Sequence, residues 1–177
     1  MTETVTPTAS GAAPIPTTDP RVARAIELIW REAELLDHKA YETWDALYTD
    51  DGFYVIPIDP EAERFDDILN MVYDDARMRR MRVARMTEGY AIAAVDAART
   101  VRTVSRFVPE SASDDEVVVR SAQVLVAYKR ENHDLWAADL VHRIQLSADG
   151  PAGDRIVQKI VRLVDSESAV PAAGFLL

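Results

Sequence analysis

The first part of the chain places apolar residues at helical spacing. Asp19 and Pro20 form a helix start, in which a capping carboxylate precedes proline at the first helical position. Beyond them, apolar residues recur every three or four positions, which predicts one helix with a single apolar face. That face consists of Val22, Ile26, Ile29, Ala33 and Leu36. After a polar interruption at residues 37–39, a short second helical pattern begins at Tyr41.

Strand patterns follow the second helix. Turn residues at 50–52 precede an alternating apolar run over 53–58, which predicts a strand with Pro57 at its end or at a sheet edge. Residues 60–67 are typical of an acidic loop, and 68–73 predict a short strand.

An arginine-rich helix is predicted after Asp75. Met78, Met81 and Ala84 make a narrow apolar stripe in it, while the arginines take most other directions. This pattern suits a helix covered by carboxylates of another layer or another subunit, with Asp75 and Arg79 as a pair four residues apart. An ordinary solvated face is the alternative interpretation.

The second half of the chain is rich in strand formers. Residues 89–99 are alanine-rich and ambiguous, and four β-rich runs separated by turn clusters follow them. The runs cover residues 101–108, 117–129, 135–146 and 156–164. Helices first and an antiparallel meander afterwards predict an α+β fold, in which a long, bent sheet wraps around the first helix.

Composition limits the functions open to the chain. Its 177 residues fit one domain, which we predict over residues 19–177. Residues 1–18 are rich in Thr, Pro and Ala, which predicts either a flexible arm or an arm that orders on a partner subunit. The chain has no cysteine, so it forms no disulfide and holds no cysteine-ligated iron–sulfur cluster. A net charge of −10 argues against nucleic acid as a partner, and no apolar run reaches the roughly 20 residues of a membrane span. We expect a cytoplasmic protein.

Three histidines are the candidates for proton chemistry. His133 lies in a polar turn. His38 follows the first helix, where its side chain can interact favourably with the negative end of the helix dipole. His142 shares a strand face with apolar residues. It is either a core histidine satisfied by one hydrogen bond or a general acid/base in a cavity. Its candidate partners in a cavity are Asp37, Tyr41 and Tyr54.

Metal and nucleotide sites have little support in the sequence. A two-histidine, one-carboxylate iron site would have to join His142 and His38, and no close histidine spacing favours it. The aspartate pairs lack the spacing of a calcium loop, and no P-loop or dinucleotide-binding motif occurs. From these residues alone, the sequence favours a scaffold over an enzyme.

Four sequence blocks occur in a family-specific order. They are EAELLDHKAYETWDALYTDDGFYVIP, YDDARMRRMRVAR, VRTVSRFV and RIVQKIVRLVDSESAVPAAGFLL. In this order they resemble blocks of the small (β) subunits of aromatic-ring-hydroxylating dioxygenases. The first resembles the N-terminal block of that family and the second its central YDD block. The third resembles its first long strand, and the fourth resembles its closing strand with an apolar tail. The resemblance covers essentially the whole chain after the arm.

This resemblance implies a fold and a division of labour. The fold is the NTF2-like (cystatin-like) cone, in which N-terminal helices pack in a strongly curved, mostly antiparallel sheet. The partner is a catalytic large (α) subunit, assembled as α3β3 with self-association through the trimer. In such enzymes the large subunit holds a Rieske 2Fe–2S cluster and a mononuclear iron, and it cis-dihydroxylates an aromatic substrate with O₂ and NAD(P)H-derived electrons. The small subunit is mainly structural, so we expect no catalytic, cofactor-binding or metal-binding residue in this chain.

The resemblance also implies framework or interface roles for seven residues. They are Trp44, Tyr54, Pro57, Asp75, Arg82, Arg85 and Arg106. The first three would fix the first layers, the next three would tie the arginine-rich helix to the rest, and Arg106 would face the partner. The chain departs from the family at LWAADLVHR, where a small basic hairpin with glycine is usual, and at DAARTVRTVSR before the first long strand. These departures affect particular large-subunit contacts rather than the fold.

Two further functions stay open at this point. One is a free-standing dehydratase, isomerase or cyclase on the same fold, in which His142, Asp37 and Tyr54 move protons in an apolar pocket. The other is a binding module that retains a small apolar ligand without turnover.

Overall fold

The computed structural model describes residues 14–87, 98–168 and 174–177. Most of the predicted arm 1–18 and most of the alanine-rich stretch 89–99 therefore lie outside the described residues. In the described part, Ile15 packs against the core, and the amide of Asp19 donates to the main-chain oxygen of Pro16 at 3.0 Å.

The helices begin where the sequence predicts them. Helix α1 spans Pro20–Asp37, α2 spans Tyr41–Asp45 and α3 spans Ala76–Thr87. The Asp19 carboxylate caps α1 by accepting a hydrogen bond from the amide of Arg21 at 2.9 Å.

Six strands form one sheet. They are β1 (Tyr48–Pro57), β2 (Asn70–Asp74), β3 (Arg99–Ala112), β4 (Glu116–Lys129), β5 (Asn132–Gln145) and β6 (Arg155–Leu163). The strand order is β2-β1-β6-β5-β4-β3, and every neighbouring pair is antiparallel except β1 and β6, which run parallel. The α+β prediction with a mostly antiparallel sheet is confirmed.

The sheet has an inner face and an outer face. Helix α1 packs on β3 and β4 and defines the inner face, where alternate residues of β4 and β5 are buried. On the outer face, the loop of residues 58–69 covers β1 and β6, and Phe65 packs there with Val55 and Ile160. The inner face therefore holds the main core, and one end of the outer face holds a second, small one.

A glycine shapes the contact between β1 and β6. The register of this pair is irregular between Tyr48 and Phe53. A Cβ atom on Gly52 would lie 2.9 Å from the main-chain oxygen of Ile156 and 3.0 Å from the Thr49 hydroxyl oxygen. The two strands approach so closely here that only glycine fits without a shift of the backbone.

The buried face predicted for α3 is wrong. The predicted stripe was Met78, Met81 and Ala84, but Met81 is exposed, and the helix buries Ala76, Arg79 and Val83. The reason is that Arg79 finds acceptors under the helix, among them the Asp45 carboxylate at 2.9 Å and the main-chain oxygen of Gly52. Once its guanidinium is satisfied, this charged side chain can occupy the buried face.

Candidate functional site

A buried carboxylate, Glu32, lies on the apolar face of α1. It follows Ile29 by three residues and precedes Leu36 by four, so the helix turns it toward the sheet. Four side chains, one from each of α2, β1, β5 and β6, donate hydrogen bonds to it. They are Trp44, Tyr48, His142 and Lys159.

The geometry fixes the protonation of this cluster. Oε1 of Glu32 accepts from Trp44 Nε1 and from Lys159 Nζ, both at 2.9 Å, and from the Tyr48 hydroxyl at 3.4 Å. Oε2 lies 3.1 Å from Nε2 of His142. Because an ionised carboxylate only accepts, the histidine proton must sit on Nε2. His142 thus donates from Nε2, and its Nδ1 has no hydrogen-bond partner within the described ranges.

The last four residues, 174–177, close the same interior. The ring of Phe175 meets Trp136 edge-on, with ring centroids 5.6 Å apart. The main-chain oxygen of Leu177 accepts from Lys159 Nζ and from the Tyr54 hydroxyl, both at 3.0 Å, and its amide donates back to Tyr54 at 3.1 Å. Lys159 therefore connects this tail to the Glu32 cluster.

A second ion pair holds the tail from β3. The Asp37 carboxylate, at the end of α1, accepts from Arg102 Nε and from the Thr100 hydroxyl, both at 2.8 Å. Nη2 of Arg102 continues to the main-chain oxygen of Leu176 at 3.0 Å. The end of α1, strand β3 and the tail are fixed together by these contacts.

Burial and charge pairing set the acidities inside the sheet. Burial opposes ionisation of Glu32, but the Lys159 ammonium and the His142 hydrogen bond outweigh it and hold the pKa of Glu32 below its usual value. Burial lowers the pKa of His142 and of Lys159, and it raises the pKa of the Tyr54 phenol. An ionised Glu32–Lys159 pair beside a neutral His142 fits these directions and the hydrogen-bond geometry.

The structure does not assemble the acid/base trio that the sequence left open. Asp37 binds Arg102 and Thr100, Tyr54 binds the tail, and His142 binds Glu32. With 0% of its surface exposed, His142 offers no face to a substrate. It is a core histidine satisfied by one hydrogen bond, and the trio is wrong because each member has a different structural partner.

The other histidines are exposed and structural. Nδ1 of His38 lies 2.9 Å from the main-chain oxygen of Glu34, at the end of α1, and the His133 ring lies against Tyr128 with centroids 4.8 Å apart. Among residues 14–87, 98–168 and 174–177, no group of three or more His, Cys, Asp or Glu side chains is placed to hold a metal ion. Within the same ranges, no helix is long and apolar enough to cross a membrane.

Trp44, Tyr54 and Pro57 lie in the inner layers. Trp44 is fully buried and meets both Tyr48 and Tyr54 edge-on, with centroids 5.2 and 5.5 Å apart. Pro57 ends β1 opposite Asn70 of β2, where the register of the two strands shifts. That these three residues fix the first layers of the fold stays a prediction.

The residues predicted to tie α3 down have three different roles. Arg82 makes two hydrogen bonds to the buried Asp74 carboxylate, at 2.5 and 3.1 Å, and this bonding raises the pKa of Arg82. Asp75 caps the helix by accepting from the Met78 amide at 2.8 Å. Arg85 is exposed, and its Nε donates to the Met81 main-chain oxygen at 3.3 Å. Arg82 therefore holds the helix, and Arg85 points to solvent.

Arg106 lies on the outer face of β3. Its backbone has φ of 53°, in the left-handed region, at a β-bulge between Ser105 and Val108. Its guanidinium pairs with the carboxylate of Asp139 on β5, and both side chains are largely exposed.

Sequence reasoning missed Glu32, Lys159 and Arg79. The available signal for Glu32 was its helical phase, because the residue falls on the apolar face of α1. Lys159 alternates with Val161 and Leu163 along β6, so it also falls on a buried face. A charged residue in phase with a core face can be recognised from sequence, but its partner cannot, because Glu32 and Lys159 are 127 residues apart.

Comparison with known proteins identifies the family. The family model described as "Ring hydroxylating beta subunit" matches residues 31–168. The small oxygenase component of the p-cumate 2,3-dioxygenase system of Pseudomonas putida is 35% identical over 135 residues, which cover 75% of this chain and 73% of that protein.

Solved structures give the same fold. The β subunit of benzoate 1,2-dioxygenase from Burkholderia mallei superimposes with a TM-score of 0.66 at 27% identity, covering 84% of this chain and 93% of that one. An NTF2-like protein with a cystatin-like fold from Novosphingobium aromaticivorans has a TM-score of 0.59 at 15% identity, with 84% of each chain covered, and it supports the fold alone. The NTF2-like prediction is confirmed. The chain belongs to the family of ring-hydroxylating dioxygenase β subunits and is the small subunit of such an oxidoreductase.

Proposed function

We propose that this chain is a structural subunit that assembles with its catalytic large subunit as an α3β3 hexamer and takes no direct part in ring hydroxylation. The Rieske 2Fe–2S cluster and the mononuclear iron belong to the large subunit in this proposal. The complete enzyme adds both atoms of O₂ to an aromatic ring, with electrons derived from NAD(P)H, in the cytoplasm.

The observation that carries the proposal is the use of three buried acid/base groups of the described chain as structural contacts. Glu32, His142 and Lys159 are each at most 2% exposed. Glu32 binds both of the others, and Lys159 also binds the tail. A proton-transfer residue must reach its substrate within hydrogen-bond distance. Groups that are buried and already engaged with one another are placed for packing instead.

The class of substrate is inferred from the named relatives. One relative belongs to a p-cumate dioxygenase system and another to a benzoate dioxygenase, so both names specify an aromatic carboxylate. We infer an aromatic substrate here, bound in the large subunit.

Two of the residues carried over from the family lie at the surface of this chain. Arg85 and Arg106 are exposed, on α3 and on the outer face of β3. We propose them as contacts with other subunits, because arginine pairs well with carboxylates across interfaces. Trp44, Tyr54, Pro57, Asp75 and Arg82 serve the framework of this chain.

The experiment that tests the proposal compares two preparations. The chain is purified alone and co-expressed with the large subunit of the same organism, and native mass, iron and acid-labile sulfide are measured in both. We expect iron and sulfide only in the heteromer, and a heteromer mass that fits three copies of each chain. Stoichiometric iron in the chain alone, or turnover without the large subunit, would refute the structural role.

A variant separates structure from chemistry in the assembled enzyme. His142→Asn should lower the thermal stability of the heteromer and leave the turnover per mole of iron unchanged. His133→Asn, at an exposed site, is the matched control. A loss of turnover per iron in intact His142→Asn heteromer would assign the interior a direct role.

A further inference from the structure

The tail, residues 174–177, enters the interior of the sheet as a ligand enters a binding site. It belongs to no helix or strand, and the side chains of Phe175, Leu176 and Leu177 are all buried. Its hydrogen bonds to the described chain are made with side chains rather than with a neighbouring strand. We propose that this interior is a binding site for a small aromatic molecule that carries a carbonyl or carboxyl oxygen, and that the tail occupies it here. The residues of this interior site are Tyr41, Tyr54, Arg102, Trp136 and Lys159.

The charged donors of the interior site are held by partners other than the tail. Lys159 Nζ lies 2.9 Å from Oε1 of Glu32 and donates separately to the main-chain oxygen of Leu177. Arg102 is held twice by Asp37, through its Nε at 2.8 Å and through its amide at 2.9 Å. Because these contacts do not involve the tail, both cations keep their positions when another acceptor replaces it. Donors that are already in position lower the entropy cost of binding a ligand.

Trp136 provides the place for an aromatic ring. Its indole and the ring of Phe175 meet edge-on, with centroids 5.6 Å apart, and both side chains are buried. Such pairs are favourable beyond the area that they bury, so this position selects an aromatic ring over an aliphatic chain. Two residues further along, the main-chain oxygen of Leu177 accepts from the Tyr54 hydroxyl at 3.0 Å. The tail thus presents a ring and oxygen acceptors, and a small ligand needs the same two parts.

Two buried polar atoms of the interior site have no partner among the described residues. They are Nη1 of Arg102 and the hydroxyl of Tyr41. Burial raises the pKa of the Tyr41 phenol, and the charges of Arg102 and Asp37 also act on it, which places it near their ion pair. A buried donor without an acceptor is costly, and the tail leaves Nη1 unsatisfied although Leu176 binds Nη2. An oxygen that bridges Nη1 and Nη2 would satisfy both, so the tail does not use all the binding capacity of the site.

The charged groups around the tail occur in balanced pairs. His142 also donates to Glu32, and burial lowers its pKa, so it adds no positive charge at neutral pH. Net charge therefore neither attracts a ligand nor excludes one, and recognition rests on the donors and on the ring position. An amide and a carboxylate share the required acceptor oxygen. The pairs are Glu32–Lys159, Asp37–Arg102 and Asp74–Arg82, of which Arg82 acts on the Tyr54 phenol.

The experiment empties the interior site in the whole chain and adds small ligands back. The triple-serine variant carries Phe175→Ser, Leu176→Ser and Leu177→Ser, which remove the apolar side chains that hold the tail inside. The matched control carries serine at three exposed apolar positions, as Leu69→Ser, Val101→Ser and Val164→Ser. Thermal unfolding of wild type and of both variants is followed with 3-phenylpropionamide, which has a ring and an amide oxygen.

The amide should stabilise only the chain whose interior is empty. We expect it to raise the melting temperature of the triple-serine variant by about 3–6 °C at about ten times its dissociation constant. Wild type and the exposed control should not respond, because the tail fills their interior. The acid, 3-phenylpropionate, is tested in the same way. Stabilisation by either compound supports the site, and the larger shift identifies the form of the oxygen that it prefers.

Phe175→Ala is the second variant, and it covers the case in which the triple-serine chain does not fold. It removes only the ring and keeps the main-chain oxygens of the tail. The ring position beside Trp136 is then empty. Since an apolar cavity of this kind binds small aromatic hydrocarbons, toluene should raise the melting temperature of Phe175→Ala and leave that of wild type unchanged.

Three results would overturn the interior site. The first is that neither variant responds to its ligand. The second is an equal response of the exposed control, which would place the ligand elsewhere on the chain. The third is an equal response of the triple-serine variant to butyramide, which lacks the ring, or to ethylbenzene, which lacks the oxygen. None of these results affects the proposed function, which heteromer mass and iron content test separately.

Discussion

Glu32 and Lys159 form a fully buried ion pair, with Lys159 Nζ 2.9 Å from a carboxylate oxygen of Glu32. The pair joins the first helix to the last strand, and Lys159 extends the connection to the tail through Leu177. A buried pair need not add net stability, because both charges have lost their hydration. Its effect is specificity: each charge requires the other, so α1, β6 and the tail must come together for the interior to close.

Removing one member of the pair should be costly. Lys159→Met is expected to lower the free energy of unfolding by about 3–5 kcal/mol, because it leaves the Glu32 carboxylate buried without a counter-charge. Urea denaturation at neutral pH measures this. Glu32→Gln combined with Lys159→Met should recover at least about 1 kcal/mol, because the interior then holds no unpaired charge.

The control for this pair is Glu34→Gln, at an exposed glutamate on the same helix. It should change the free energy of unfolding by less than about 0.5 kcal/mol. If Lys159→Met costs no more than this control, the pair is not the structural connection described here.

Acid should weaken the fold through His142. Burial lowers the pKa of His142 in the folded chain below its usual 6.5. Between the folded pKa and 6.5, the unfolded chain binds more protons, so the free energy of unfolding rises with pH. Stability should therefore decrease as the pH falls through about 6.5, by up to about 1.4 kcal/mol per pH unit.

The measurement is the free energy of unfolding at several pH values across that range. In His142→Gln the histidine contribution to the slope should disappear, and in His133→Gln it should remain. Identical slopes in wild type and His142→Gln would mean that this histidine does not titrate differently on folding.

The tail should act as part of the core. The Phe175 side chain is buried against Trp136. Phe175→Ala is expected to cost about 3–5 kcal/mol, because it removes a buried aromatic ring and leaves a cavity. Thermal unfolding measures the loss, and the exposed Val164→Ala is the control. Heteromer that still assembles should keep its turnover per iron; reduced turnover would place the tail in the chemistry.

The sequence predicts the elements of this fold better than their contacts. The Asp19 cap and the apolar repeat specify α1, and alternation specifies the long strands, because both signals are local. The meeting of Glu32 with Lys159 is not local, since it depends on how the sheet closes over the helix. The sequence indicated this contact only by placing a charged residue on the apolar face of α1 and another on the buried face of β6.

Strand β4 shows the same limit from the opposite side. Along β4, residues such as Val124 and Val126 are apolar on one face, and Leu125 and Ala127 are apolar on the other. A run that is apolar on both faces cannot tell which face meets α1 and which faces outward. Only the assembled sheet, with α1 on one side, makes that distinction.

Arg79 offers a last test, because it is the buried charge that fixes α3. Its guanidinium pairs with Asp45, lies over the Tyr48 ring at 4.3 Å from the centroid, and donates to the main-chain oxygen of Gly52. A lysine at this position keeps the charge but not the planar fork that reaches several acceptors at once. Arg79→Lys should therefore lower the free energy of unfolding by about 2–3 kcal/mol, measured by urea denaturation. Arg80→Lys, at the exposed neighbouring position, should change it by less than about 0.5 kcal/mol. If the two lysine variants were equally stable, charge alone would hold α3 in place, and the contacts of the guanidinium would be incidental.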